Sequence, residues 1–155
     1  MATNWSKCCQ VEDPMTTASC VNLKNSLNAC VVVSDLEAGI AWYRRVLGFE
    51  LYQRHRYGSF GVEVAYLQRE ALEIELVEPP EPKPCHRDDP PGGHFAWRGI
   101  SQLSFRVTDI DAAVQQLEEQ AVAIVFGPLY SEEFNLKACF IRDCDDNLIE
   151  FIQRM

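Results

Sequence analysis

The feature that most constrains this chain is that it states one pattern twice. Leu27 to Phe49 reads LNACVVVSDLEAGIAWYRRVLGF, and from Ile100 the chain reads ISQLSFRVTDIDAAVQQLEEQAVAI. Asp35 answers to Asp109, Val33 to Val107 and Asn28 to Gln102, an offset of 102 − 28 = 74. The two halves also end alike, with Ile74-Glu75-Leu76 answering Ile149-Glu150-Phe151 at 150 − 75 = 75. A repeat of this length marks a duplicated supersecondary unit. It places Asn28, Glu75, Gln102 and Glu150 at equivalent positions, which a two-fold-like arrangement would gather round one axis.

Within each copy the periodicity gives the elements. Ala29 to Val33 is a β-branched run that meets Ser34-Asp35, a strand running into a helix cap. Leu36, Ile40, Tyr43 and Leu47 recur at helical spacing, and Gly48 stands where a helix-ending glycine belongs. Strands are predicted over Glu50–Arg56, Phe60–Gln68 and Ala71–Glu78, giving the order βαβββ. Alternation in the last of these puts Leu72, Ile74 and Leu76 toward the helix and Glu73, Glu75 and Val77 away from it. In the second copy, Ser101–Val107 is a strand with Gln102, Ser104 and Arg106 on one face. Asp109 caps a helix whose apolar face is Ile110, Ala113, Val114 and Leu117. Val122–Phe126, Leu136–Arg142 and Leu148–Gln153 are the remaining strands, the first of them ending at Gly127-Pro128. The fold class is therefore α+β, with modules at 27–78 and 100–155.

Residues 1–26 lie outside the repeat and are expected to form a loose arm or an added edge piece. Pro79 to Gly99 holds six of the eight prolines and reads as a stiff linker whose end, with Phe95 and Trp97, folds back on the body. Two histidines, His86 and His94, fall in that linker. Each can serve the site as a ligand or an acid, or stand as a solvated loop residue.

Composition removes some partners. The net charge of −9 argues against nucleic acid, whose phosphates require a basic face. No apolar run approaches the ~18 residues of a membrane span. The start of the chain has no basic stretch leading into an apolar core, so a cytoplasmic protein is expected. Seven cysteines without a CxxC spacing fit reduced thiols, with Cys30 and Cys139 packed in strands as small hydrophobes.

Two βαβββ modules with a glutamate late in each final strand resemble the vicinal oxygen chelate superfamily, which includes glyoxalase I, extradiol dioxygenases, methylmalonyl-CoA epimerase and the fosfomycin- and bleomycin-resistance proteins. The resemblance runs from about Leu27 to Gln153 and rests on VSDLEAGIAWYRRVLGF, IELVEPP, RVTDIDAAV and FIRDCDDNLIEFIQ. It implies cup-shaped mixed sheets around one small-molecule cavity, and a homodimer. In the metal-dependent members, ligands come from the first and last strand of each module. Those positions here are Asn28, Glu75, Gln102 and Glu150. Such members usually carry at least one histidine on a first strand, and this chain has Asn28 and Gln102 there.

Four oxygen-bearing side chains suit Mg²⁺, Mn²⁺ or Ca²⁺ better than Zn²⁺. Without a cation, two carboxylates in one cavity repel, and one of them becomes a ready proton donor or base. Alternatively, Gln102 and Asn28 only hydrogen-bond the two glutamates across the module seam. Arg106 could hold an anionic group of a substrate or a carboxylate such as Glu73, or form a charge pair at the rim. The expectation is a glyoxalase-like lyase or isomerase that uses a divalent ion and moves a proton with Glu75 or Glu150. The alternative is a metal-free binding protein of the bleomycin-resistance type that sequesters its compound.

Overall fold

A computed structural model describes residues 27–84, 93–96 and 98–155. The arm at 1–26, the linker cysteine Cys85, His86 and Trp97 lie outside the described residues.

The first module contains β1 (Asn28–Val32), α1 (Leu36–Leu47), β2 (Glu50–Tyr57), β3 (Val62–Arg69) and β4 (Leu72–Glu78). The second contains β5 (Leu103–Arg106), α2 (Ile110–Glu119), β6 (Phe126–Ser131), β7 (Leu136–Arg142) and β8 (Leu148–Arg154). The two sheets have matching orders, β1-β4-β3-β2 and β5-β8-β7-β6. In each, the first strand runs parallel to the last and the other neighbours are antiparallel.

The helices start and stop for identifiable reasons. The Asp35 carboxylate accepts from Ala38 N–H, and Asp109 accepts from Asp111 and Ala112 N–H, so both caps satisfy donors that no helical carbonyl can reach. A second device repeats with the modules. Glu78, at the end of β4, accepts from Leu36 N–H at 2.6 Å, and Gln153, near the end of β8, accepts from Ile110 N–H at 2.9 Å. Each last strand thus fixes where its own helix begins. Gly48 closes α1 at φ 68°, and its N–H returns to the Arg44 carbonyl. The helix α2 ends instead at Gln120, with φ −89°.

One core spans both modules. Val33, Leu36, Tyr43, Phe49, Leu67 and Leu76 from the first join Ile110, Leu117, Cys139, Ile141 and Ile149 from the second. Phe49 and Phe105 meet edge to face across the seam, with ring centres 6.2 Å apart. Polar bonds pin the same seam. Ser34 N–H donates to Asp145, Arg45 donates to the Gln120 carbonyl, and buried Tyr43 donates to buried Asp143.

Three elements differ from the sequence expectation. The strand expected at Val122–Phe126 instead begins at Phe126 and runs to Ser131. Gly127-Pro128 does not stop it, because the register shifts between Phe126 and Leu129, and a bulge leaves the proline's missing N–H unneeded. Leu72 was placed with Ile74 and Leu76 under the helix but is 46% exposed, since it opens the strand beyond the helix's cover. Of the readings open to His94, that of a solvated loop residue does not hold. It sits in a single 3₁₀ turn at Gly93–Ala96, is buried, and faces Phe140 on the open side of the second sheet at 6.0 Å. Its neighbour Phe95 is 73% exposed, so the fold-back is carried by the histidine.

Candidate functional site

The two faces of each sheet differ in chemistry. One face meets the helix and is apolar. The other carries the residues singled out by the repeat, and the register shows how they are presented.

In the second module, β5 lies beside β8 with Ser104 opposite Glu150. The Ser104 hydroxyl donates to Glu150 Oε2 at 2.7 Å, and Gln102 Nε2 donates to the same oxygen at 2.6 Å. Both bonds are charge-assisted and short, as expected for donors on a carboxylate. Gln102 Oε1 is buried and has no hydrogen-bond partner among the described residues. A buried, unsatisfied acceptor is costly and therefore points to a ligand or a function.

In the first module the same positions hold different groups. Cys30 stands where the second module has Ser104, and it lies opposite Glu75. Burial and then the neighbouring Glu75 carboxylate push its thiol above the ordinary range. Glu75 takes its hydrogen bond from another strand, the Tyr66 hydroxyl of β3 at 3.1 Å. The structural counterpart of Tyr66 is Phe140, which lies opposite Glu150 and has no hydroxyl. The Tyr66 phenol is raised by its bond to Tyr57, by desolvation and by Glu75. Tyr52 donates to Glu73 at 2.8 Å, and this bond is the first cause of its own raised pKa. Tyr52 and His55 bring their rings within 6.2 and 6.1 Å of Tyr66. Sequence reasoning missed this aromatic row because the phase of β2 depends on a register shift between Leu51 and Gln53 that composition does not show. Alternation on β3 relative to Glu75 could have found Tyr66.

The expected site residues separate accordingly. Gln102 and Glu150 come together. Glu75 sits in its own module's network, and among the described residues no hydrogen bond joins it to that pair. Asn28 is exposed at the start of β1, opposite Glu73. Arg106 is exposed and, among the described residues, makes no ion pair with Glu73.

A cavity of about 940 Å³ takes walls from both modules. Cys30 and Val32 line it from β1, and Gln102, Leu103, Asn147 and Leu148 from the second module. Cys30, opposite Glu75, and Gln102, bonded to Glu150, thus line the same space, while the two glutamates stand behind them and are not part of its wall.

The divalent ion implied by the resemblance can be tested against these atoms. Asparagine, glutamine and glutamate supply oxygens that a hard cation accepts. As arranged, however, Gln102 turns its nitrogen toward Glu150, and an amide N–H donates and does not coordinate. Glu150 Oε2 is already occupied by two donors. Among the described residues, no three of His, Cys, Asp or Glu gather as metal ligands. This arrangement does not fit the ion.

A family model described as the Glyoxalase/Bleomycin resistance protein/Dioxygenase superfamily matches residues 26–151. The chain belongs to this superfamily. Among curated proteins, this superfamily member is 26% identical over 147 residues to the mitochondrial methylmalonyl-CoA epimerase of Homo sapiens, covering 88% of this chain and 78% of the relative. It is 30% identical over 103 residues to the uncharacterized protein YwkD of Bacillus subtilis, covering 64% and 74%. Among solved structures, a glyoxalase family protein from Bacillus cereus aligns at TM-score 0.68 and 24% identity over 89% of this chain and 99% of that one. A glyoxalase family protein from Enterococcus faecalis also aligns at TM-score 0.68, with 17% identity over 84% and 97%.

Proposed function

We propose that the protein is an isomerase-type enzyme that moves a proton at a carbon next to a carbonyl. The observation that carries this reading is the pair of glutamates at equivalent positions of β4 and β8, each next to a residue, Cys30 or Gln102, that lines one cavity. Glu150, fixed by Ser104 and Gln102 on one oxygen, is a carboxylate held in one orientation. Glu75, bonded to one phenol, is the less restrained of the two. A base on one side of an acidic carbon and a proton donor on the other is the minimum set for inverting that carbon. The similarity to methylmalonyl-CoA epimerase supports a 2-substituted acyl thioester as the first compound to try. We take the enzyme to be a homodimer, from the family resemblance.

The test is incubation with methylmalonyl-CoA and related 2-substituted acyl thioesters in D₂O, following the 2-proton by NMR. Enzyme-dependent loss of that signal is expected. Binding without exchange across the panel would sink the enzyme reading and favour the sequestering one. That second reading has its own support in the open face of Tyr52, His55, Tyr57 and Tyr66, rings suited to stacking on an aromatic compound.

A further inference from the structure

The misfit between Gln102 and a metal has a structural consequence. In an all-oxygen metal site the cation holds the carboxylates in place. Here that task falls to hydrogen bonds: Gln102 Nε2 at 2.6 Å and Ser104 Oγ at 2.7 Å converge on Glu150 Oε2, and the two donors lie 3.2 Å from each other. The triangle is closed without any outside atom. One buried polar atom of the group is unsatisfied among the described residues, Gln102 Oε1. Gln102 is also a wall residue of the cavity.

We propose that Gln102 takes the place of a metal in this chain, its nitrogen fixing Glu150 and its buried oxygen receiving an O–H or N–H from the bound ligand. The ligand class follows from the free atom. An acceptor cannot bind a bare carbonyl oxygen, so the compound presents a hydroxyl or amide N–H near its reacting carbonyl. The first module cannot do the same. Its equivalents are Asn28, exposed at the start of β1, and Cys30, a weak donor in place of Ser104. The site is therefore two-sided, with a hydrogen-bonded carboxylate on one side and a phenol-bonded one on the other.

The experiment is a set of melting curves, independent of the exchange assay above and so of the reaction it tests. The full chain is melted at pH 7 with and without millimolar Mn²⁺ or Mg²⁺. No shift is expected in the parent, because a ligand that binds only the native state must raise Tm by mass action. Gln102→Glu sets a second carboxylate against Glu150 and should lower Tm by several degrees. The double exchange Gln102→Glu with Glu150→Gln restores an amide facing a carboxylate and should recover most of that loss. A saturable rise of the parent's Tm with either ion, abolished by Gln102→Leu, would overturn the proposal. So would a Gln102→Glu protein that melts with the parent. If the single variant does not fold, the double exchange decides: a transition near the parent's supports the bridge, and none overturns it.

Discussion

Tyr43 and Asp143 are 100 residues apart in the chain and joined by a 2.8 Å hydrogen bond in the buried seam between the modules. Asp143 is also the hub of the turn that opens β8, accepting from the N–H groups of Asp145 and Asn147 and from the Asn147 amide. The turn that positions Glu150 is thereby tied to the helix of the other module. Tyr43→Phe removes one donor to a buried carboxylate and should cost about 1–3 kcal/mol at pH 7. Burial first, then Asp143, raises the Tyr43 phenol far above its ordinary pKa of 10. A raised folded-state pKa gives stability that is whole below the unfolded value near pH 10 and lost above it. The gap between parent and variant in urea melts should be full at pH 7–9 and shrink above about pH 10. A gap independent of pH through 10.5 would show that the bond does not carry the seam.

Gly48 ends α1 in the left-handed region, where a Cβ would meet only the Arg69 guanidinium at 3.5 Å. The restriction is thus conformational and not one of space. Gly48→Ala should cost about 1 kcal/mol by thermal melting, the ordinary penalty for a side chain at that φ. A neutral or stabilised variant would contradict the cap geometry.

Much of this fold was legible because two signals agreed wherever they overlapped. Asp35, the Leu36-Ile40-Tyr43-Leu47 spacing and Gly48 each place α1, and the repeat then places α2 even though Gln120 offers no glycine stop. Alternation on β8 puts Glu150 on the face away from Ile149 and Phe151, and those two pack in the core under the helices while Leu148 joins a separate cluster. What was hidden depended on register. The bulge at Gly127-Pro128 turns an apparent strand end into a strand interior. The burial of His94 depends on Phe140, far along the chain, and nothing local to Gly93–Ala96 announces it. In the site, strand alternation showed that Gln102 and Ser104 share a face. It could not show which atom of the Gln102 amide meets Glu150, and that orientation decides between coordination and donation.

Cys144 looks reactive from exposure alone, but its thiol is pushed up to about 12 by burial of the sulfur, then by Asp143 and Asp145. Alkylation requires the thiolate. With iodoacetamide and peptide mapping, Cys144 should label far more slowly at pH 7.5 than a free thiol of pKa near 8.5, and its rate should climb up to about pH 12. Asp145→Asn removes one of the opposing charges and should speed labelling at pH 8–9. Rapid labelling of parent Cys144 at neutral pH would overturn this account.

The two glutamates should not be interchangeable. Glu150→Gln places an amide against the Gln102 amide and the Ser104 hydroxyl, so it removes a charge and disturbs the bonds that shape the second half-site. Glu75→Gln keeps an acceptor for the Tyr66 hydroxyl 3.1 Å away and leaves Gln102 and Ser104 untouched. Glu75→Gln should therefore fold with a Tm within a few degrees of the parent's, and Glu150→Gln should melt lower. If both carboxylates move protons, each variant should lose about 10²–10⁴-fold in the rate of inversion, the usual contribution of a general acid or base. Stereochemistry then separates their roles. A compound of one configuration presents its proton to only one of the two groups. With that group intact and the opposite one removed, exchange without inversion should survive. Chiral analysis of the thioester alongside the NMR trace gives both rates. Equal exchange and inversion in parent and Glu75→Gln would remove Glu75 from the reaction and leave Glu150 as the only proton-moving group of the pair.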